Sequence, residues 1–101
     1  MSLATVTADD FERYVGSDFA FRVELPEDVQ APALKLVSVR RVGTAVDGRR
    51  QPFSLLFEED REVPLPQSIY PLAHDGLGDI DIFIVPLSQR GARCTYEAVF
   101  T

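Results

Sequence analysis

His74 is the only histidine of the chain, and Asp75 follows it directly. That pair could serve as a general base with an orienting carboxylate. Neighbouring residues on an extended chain point to opposite sides, however, so the two side chains meet only through a special turn. A structural hydrogen bond across the turn at residues 75–78 is therefore the expected role of His74. A serine nucleophile is not in prospect, because neither Ser54 nor Ser68 lies in an elbow motif. Asp75, Asp79 and Asp81 offer oxygen ligands at a spacing loosely like that of calcium loops, but the longer fixed pattern ending in a glutamate is missing. His74, Asp75, Asp79 and Asp81 make up the one alternative ligand site: the rim of a small-ligand-binding or hydrolytic barrel. Cys94 has no second cysteine and falls on the apolar face of its segment, which reads as an inert core thiol. Glycine-rich phosphate loops, zinc spacings and dinucleotide fingerprints do not occur. The expectation is a non-enzyme, with no catalytic, cofactor-binding or metal-binding residues.

Charge suggests association instead. The net charge of -6 repels polyphosphates and anionic head groups, so neither nucleic acid nor a membrane surface is the expected partner. The charge is also uneven. Residues 35–50 carry Lys35, Arg40, Arg41, Arg49 and Arg50 against Asp47 alone, whereas residues 58–62 carry Glu58, Glu59, Asp60 and Glu62 against Arg61. Two opposite regions on one small domain can attract a protein partner or a second copy. Arg40, Arg41, Arg49, Arg50, Glu58, Glu59, Asp60 and Glu62 are therefore the expected interaction residues, with ordinary solvated loops as the simpler account of the same runs.

A chain of 101 residues with 46% hydrophobic residues suffices for one core and is too small for two, so residues 1–101 read as one domain. A single cysteine excludes an intramolecular disulfide and favours a reducing compartment. The N-terminus lacks a basic region followed by an apolar one, and the apolar run at 82–87 is far short of the roughly 20 residues that cross a bilayer. A soluble cytoplasmic protein is expected.

The elements that must position these residues can be read from periodicity. Thr7 is the clearest helix start, with Asp9 and Asp10 in the first turn and Val6 and Phe11 as a hydrophobic staple. The helix is expected over 8–15, ended by Gly16, with Phe11, Tyr14 and Val15 on one stripe docked as a plug on a sheet. Strands are expected over 18–25, 33–42, 52–58, 69–74, 79–86 and 92–100. In the first, Phe19, Phe21, Val23 and Leu25 face inward. In the second, Leu34 and Leu36 change phase to Val37 and Val39, which calls for a bulge near Leu36 and Val37. Residues 43–51 and 59–71 read as irregular connections. The run 79–87 starts with Asp79 and Asp81 opposite Ile80 and Ile82; Phe83 and Val85 then make both faces apolar, so that end should be buried on both sides until Pro86 stops the ladder. Residues 88–91 read as a hairpin turn, followed by Cys94, Tyr96, Ala98 and Phe100 facing inward. Phe19, Phe21, Phe53, Phe57, Tyr96 and Phe100 all fall at inward positions and read as core. The fold class is mainly β: a small antiparallel β-barrel or two-layer sandwich of about six strands with one short N-terminal helix.

Phe11, Val15-Gly16 and Phe19, the run 53–57 (FSLLF), the run 70–74 (YPLAH), Leu77-Gly78, the run 83–86 (FIVP) and the closing 96–100 (YEAVF) also carry a likeness. Together they resemble an uncharacterised bacterial domain-of-unknown-function family of about this length. Its members are often encoded beside proteins with a phage-tail-collar domain, the microcystin-dependent-like group. The resemblance implies a small non-enzymatic accessory of a phage-tail-like or surface-fibre system, with a tail-collar-like protein as partner. The matching residues are mostly core residues, so they specify a fold and bring no catalytic residue with them.

Overall fold

Alternation of apolar and polar side chains builds every strand, and the strands close on themselves. The computed structural model describes residues 5–23, 26, 32–45 and 48–101. A helix, α1 (Ala8–Glu12), precedes six strands: β1 (Asp18–Phe21), β2 (Ala33–Arg41), β3 (Phe53–Asp60), β4 (Ser68–His74), β5 (Gly78–Arg90) and β6 (Arg93–Phe100). They form a closed barrel in the order β1-β2-β3-β6-β5-β4, with every neighbouring pair antiparallel. Two three-stranded meanders are thus joined by the 61–67 crossover. The barrel has two distinct ends: α1 lies where β2, β4 and β6 finish, and the crossover lies where β3 and β5 finish.

The inward positions fill the interior. Phe19, Phe21, Leu34, Leu36, Phe53, Leu55, Phe57, Leu72, Ile80, Ile82, Ile84, Cys94, Tyr96, Ala98 and Phe100 are all buried. Thr7 heads α1 with a capping box in which its N–H donates to the Asp10 carboxylate at 2.8 Å. Val6 and Phe11 are buried as the staple requires. Phe11 plugs the barrel end, with ring centroids 6.3, 5.8 and 5.6 Å from Phe19, Phe53 and Phe100. A five-residue helix is unstable alone, so this contact holds it in place.

Several local expectations are corrected. The helix ends at Glu12 rather than 15, because residues 13–17 continue as tight turns with i to i+3 bonds such as Tyr14 N–H to Phe11 O. That tightening rotates Val15 into solvent and leaves Tyr14 half-buried on the rim. β1 stops at Phe21, and Val23 is exposed; Glu24 and Leu25 lie outside the described residues. The β2 bulge is present as a register shift between Leu36 and Ser38. It returns Val39 and Arg41 to the face shared by their partners Leu55 and Phe53. β3 extends through Asp60 and β4 starts at Ser68, so the irregular connection is only 61–67.

β5 departs furthest from expectation. It continues through Pro86 to Arg90, with the turn at Gly91 and Ala92 and φ of 59° at Gly91. Residues 78–84 pair with β4 and residues 85–90 with β6, with a register shift between Pro86 and Ser88. Past Ile84 the strand pairs, among the described residues, with β6 alone, and a proline is tolerated on such an edge. The outer face of β5 is not buried either: Phe83 is 47% exposed.

Candidate functional site

The residues singled out as candidates separate into four places. His74 ends β4 and turns inward at the α1 end, where Tyr14 and Phe19 flank its ring at centroid distances of 4.4 and 4.5 Å. Its Nδ1 accepts the backbone N–H groups of Gly76 (2.9 Å) and Leu77 (3.2 Å). Both donors are amides, so Nδ1 carries no proton and the neutral ring holds its proton on Nε2. Nε2 lies 2.8 Å from the Ser17 hydroxyl, which in turn donates to the Tyr14 carbonyl. The imidazole is therefore the donor to Ser17, the reverse of what a general base needs. The expected structural bond across the 75–78 turn is present. Gly76 belongs to it: a Cβ there would stand 2.3 Å from the Tyr14 hydroxyl.

The rest of the alternative ligand site does not join His74. Asp75 is exposed in the turn. Asp79 and Asp81 alternate with the buried Ile80 and Ile82, so they project from the outer face, where both engage Arg22. A sheet whose side chains alternate cannot bring His74 and these aspartates to one side.

The basic candidates also separate. Arg41 reaches across the α1 end to Asp9 and Glu12. The hydrogen bond from Arg41 holds the Glu12 carboxyl below its ordinary range, and the same bond raises Arg41. Arg50 is half-buried rather than on a free loop: its guanidinium lies 5.6 and 5.7 Å from the Phe53 and Phe100 rings and donates to the Val6 and Thr101 carbonyls. Phe53 and Phe100 stack with centroids 4.7 Å apart, so Arg50 caps a flat aromatic pair. Arg40 and Arg49 are exposed. Asp47 lies outside the described residues.

The acidic candidates sit at the crossover end and play different parts. Glu58 and Asp60 share Arg93 on the outside of the barrel, at 3.1 and 2.8 Å. The bond to Asp60, more than that to Glu58, raises Arg93. They border a surface groove of about 260 Å³ with Asp18, Lys35 and Arg93. Glu62 is exposed, and its carbonyl accepts from the Gln89 amide at 2.7 Å. Glu59 turns inward: its side chain is 6% exposed and accepts from Arg61 Nε at 3.0 Å and the Tyr96 hydroxyl at 2.6 Å. Tyr96 also accepts the Leu65 N–H at 2.9 Å, and the Cys94 thiol donates to the Arg61 carbonyl at 3.3 Å. Burial first, and the Glu59 hydrogen bond next, push the Tyr96 phenol well above its ordinary value. This carboxylate lies on β3, not in a loop, and ties the crossover to the barrel.

Residues 6–100 match the model of a family described as a domain of unknown function (DUF6916). The chain belongs to this family. No curated protein and no solved structure matches the chain. For this DUF6916 member the geometry therefore has to carry the functional argument.

The feature that sequence reasoning missed is an uncovered apolar row on the outer face. Ile69 pairs with Phe83 across β4 and β5. The β5–β6 pairing starts only at Val85 and Glu97, and beyond it Phe83 and Val99 line one cleft of about 210 Å³. Ile69, Phe83 and Val99 are 64%, 47% and 58% exposed, and Leu87 on β5 is exposed as well. Residues 78–84 of β5 have β4 on one edge and, among the described residues, no paired neighbour on the other. The signal lay in parity: Phe83 shares the phase of Asp79 and Asp81. No helix among the described residues is long and apolar enough to cross a membrane.

Proposed function

We propose that this DUF6916 domain is a non-enzymatic protein-binding module of a bacterial phage-tail-like or surface-fibre system, acting in the cytoplasm as an assembly accessory to a tail-collar-like protein. One observation carries the binding role: the Ile69, Phe83 and Val99 row on the outside of an otherwise well-filled barrel. Ile69 and Phe83 pair across β4 and β5 and Val99 lines the same cleft as Phe83, so three large exposed apolar side chains share one outer face, and exposed apolar patches mark contact surfaces. Exposed Arg40 and Arg49 at one end, and Glu62 at the other, supply the charge that orients an encounter. The resemblance to domains encoded beside tail-collar proteins supplies the system. A ligand-binding or hydrolytic site around His74 has less support, because both ring nitrogens are already engaged and the aspartates lie on the other face.

The test is affinity capture from the native host with an N-terminally tagged protein, read by mass spectrometry in low and high salt. A tail-collar or fibre protein enriched in low salt, and lost at high salt or with Phe83→Glu, is the expected result. Recovery of the bait without such a protein would overturn the accessory role.

A further inference from the structure

Pro71 decides which way the backbone of β5 points. Its carbonyl accepts the Arg22 N–H at 3.0 Å, so its main chain faces β1, and a proline has no N–H to offer β5. Pro71 and Asp81 are therefore a non-hydrogen-bonded pair of the ladder between β4 and β5. Asp81 turns its N–H and C=O away from β4. Asp79 and Phe83, two residues to either side, share that parity and do the same. Val85 carries the parity onward, and there β6 takes over with Glu97. Among the described residues, nothing pairs with the outward main-chain groups of Asp79, Asp81 and Phe83. β5 and β6 part instead toward the α1 end, around a cleft of about 210 Å³ to which Ile82, Phe83, Val99 and Phe100 contribute.

This edge defines what fits it. Its N–H and C=O groups recur along one line roughly every 7 Å, the two-residue repeat of a strand. Another extended main chain meets all of them at once, as in strand addition to an open sheet edge. The flanking side chains then choose among extended chains. Asp79 and Asp81 are exposed and share the single guanidinium of Arg22, so one negative charge is left over on this stretch of the outer face. Phe83 and Val99, both exposed, flank the cleft where the strands part. Resting on the reading of this domain as a protein-binding module, we propose that residues 79–83 of β5 take an extended segment of a partner protein as an added antiparallel strand. Antiparallel pairing continues the pattern of every ladder in the barrel. The segment's residues opposite Phe83, Asp81 and Asp79, in that order from its N-terminus, are apolar, basic and basic. The residues between them are apolar and turn toward Ile82 and Phe100.

A terminally blocked, fluorescein-labelled peptide SIVKVKS tests this by anisotropy with the purified protein. It binds saturably, and exchanging both lysines for glutamate weakens it about tenfold or more. N-methylation of the isoleucine and first lysine amides, which point at Phe83 and Asp81, abolishes binding. Asp81→Pro removes one edge N–H that β4 does not use, so it loses the peptide and keeps the circular dichroism spectrum; Asp81→Asn retains the peptide. Hydrogen exchange of the wild type decides the matter without any variant. The Asp81 and Phe83 amides exchange fast in the free protein, those of Ile80 and Ile82 exchange slowly, and the peptide slows the first pair. A wild type that ignores the peptide overturns the added strand. So do N-methylated peptides that bind unchanged, or Asp81 and Phe83 amides as protected in the free protein as Ile82, which would mean that the chain covers its own edge. A host protein still captured by Asp81→Pro but not by Phe83→Glu would overturn the added strand and keep the binding module. Peptide bound at this edge by a domain that captures no host protein would keep the added strand and overturn the accessory role.

Discussion

His74 and Ser17, 57 residues apart in sequence, share one hydrogen bond of 2.8 Å, and its proton belongs to the histidine. Two amide donors on Nδ1 decide the direction, and the serine hydroxyl in turn donates a hydrogen bond to the Tyr14 carbonyl. A pair that elsewhere denotes nucleophilic catalysis here ties the chain after α1 to the end of β4.

Ser17→Ala removes the acceptor for a nearly buried N–H, which costs about 1–3 kcal/mol. The loss is read from denaturant midpoints. Ser17 in the wild type should also resist a fluorophosphonate probe; stoichiometric labelling would show that the proton runs the other way.

Gly76→Ala places a methyl group into the Tyr14 hydroxyl. Tyr14 must tilt away from His74, and an overpacked contact of this kind costs about 1–3 kcal/mol. In a Tyr14→Ala background the same substitution should cost little. A double-mutant cycle measures the difference as coupling; additive losses would mean that Tyr14 is not the obstacle.

Tyr96→Phe leaves the Leu65 N–H without an acceptor and deprives Glu59 of a donor. The expected destabilisation is about 1–3 kcal/mol. Burial also raises the Tyr96 phenol above its ordinary 10.0. The folded state keeps this proton where the unfolded state releases it, so the contribution is complete below 10.0 and declines as pH rises above it. Stability of the wild type should therefore fall more steeply than that of Tyr96→Phe in that range. A Tyr96 phenolate absorbance appearing before unfolding would contradict the burial argument.

Glu12 behaves oppositely. The Arg41 hydrogen bond holds its carboxyl below 4.5, so its contribution is present above that pH and is lost as pH falls through the lowered value. Glu12→Gln should be less stable than the wild type at neutral pH, and the gap should close on acidification below 4.5. Added salt should narrow it as well, since the pair is exposed. A gap independent of pH would assign the effect to packing.

Much of the barrel is local in origin and was readable from sequence. A period of two assigns each residue a face, so Phe53, Leu55 and Phe57, or Cys94, Tyr96, Ala98 and Phe100, declare themselves inward without reference to their partners. The phase change at Leu36 likewise announced the β2 bulge. Parity does not say whether a face is covered. Phe83 was legible as sharing a side with Asp79 and Asp81, and its apolar character suggested burial; in the barrel nothing among the described residues packs over that side. Glu59 shows the converse, an acid in an acidic run whose parity is inward once β3 continues past Phe57. Closure against β6 and the return of the crossover supply Tyr96 and Arg61 to satisfy it. Sequence by itself determined which six runs form strands, the short helix docked as a plug and most of the inward core, because these follow from nearest-neighbour geometry along one chain. Only the tertiary structure decided the direction of the His74 proton, the separation of His74 from Asp79 and Asp81, and the exposed Ile69, Phe83 and Val99 row, because each depends on which distant strand lies alongside.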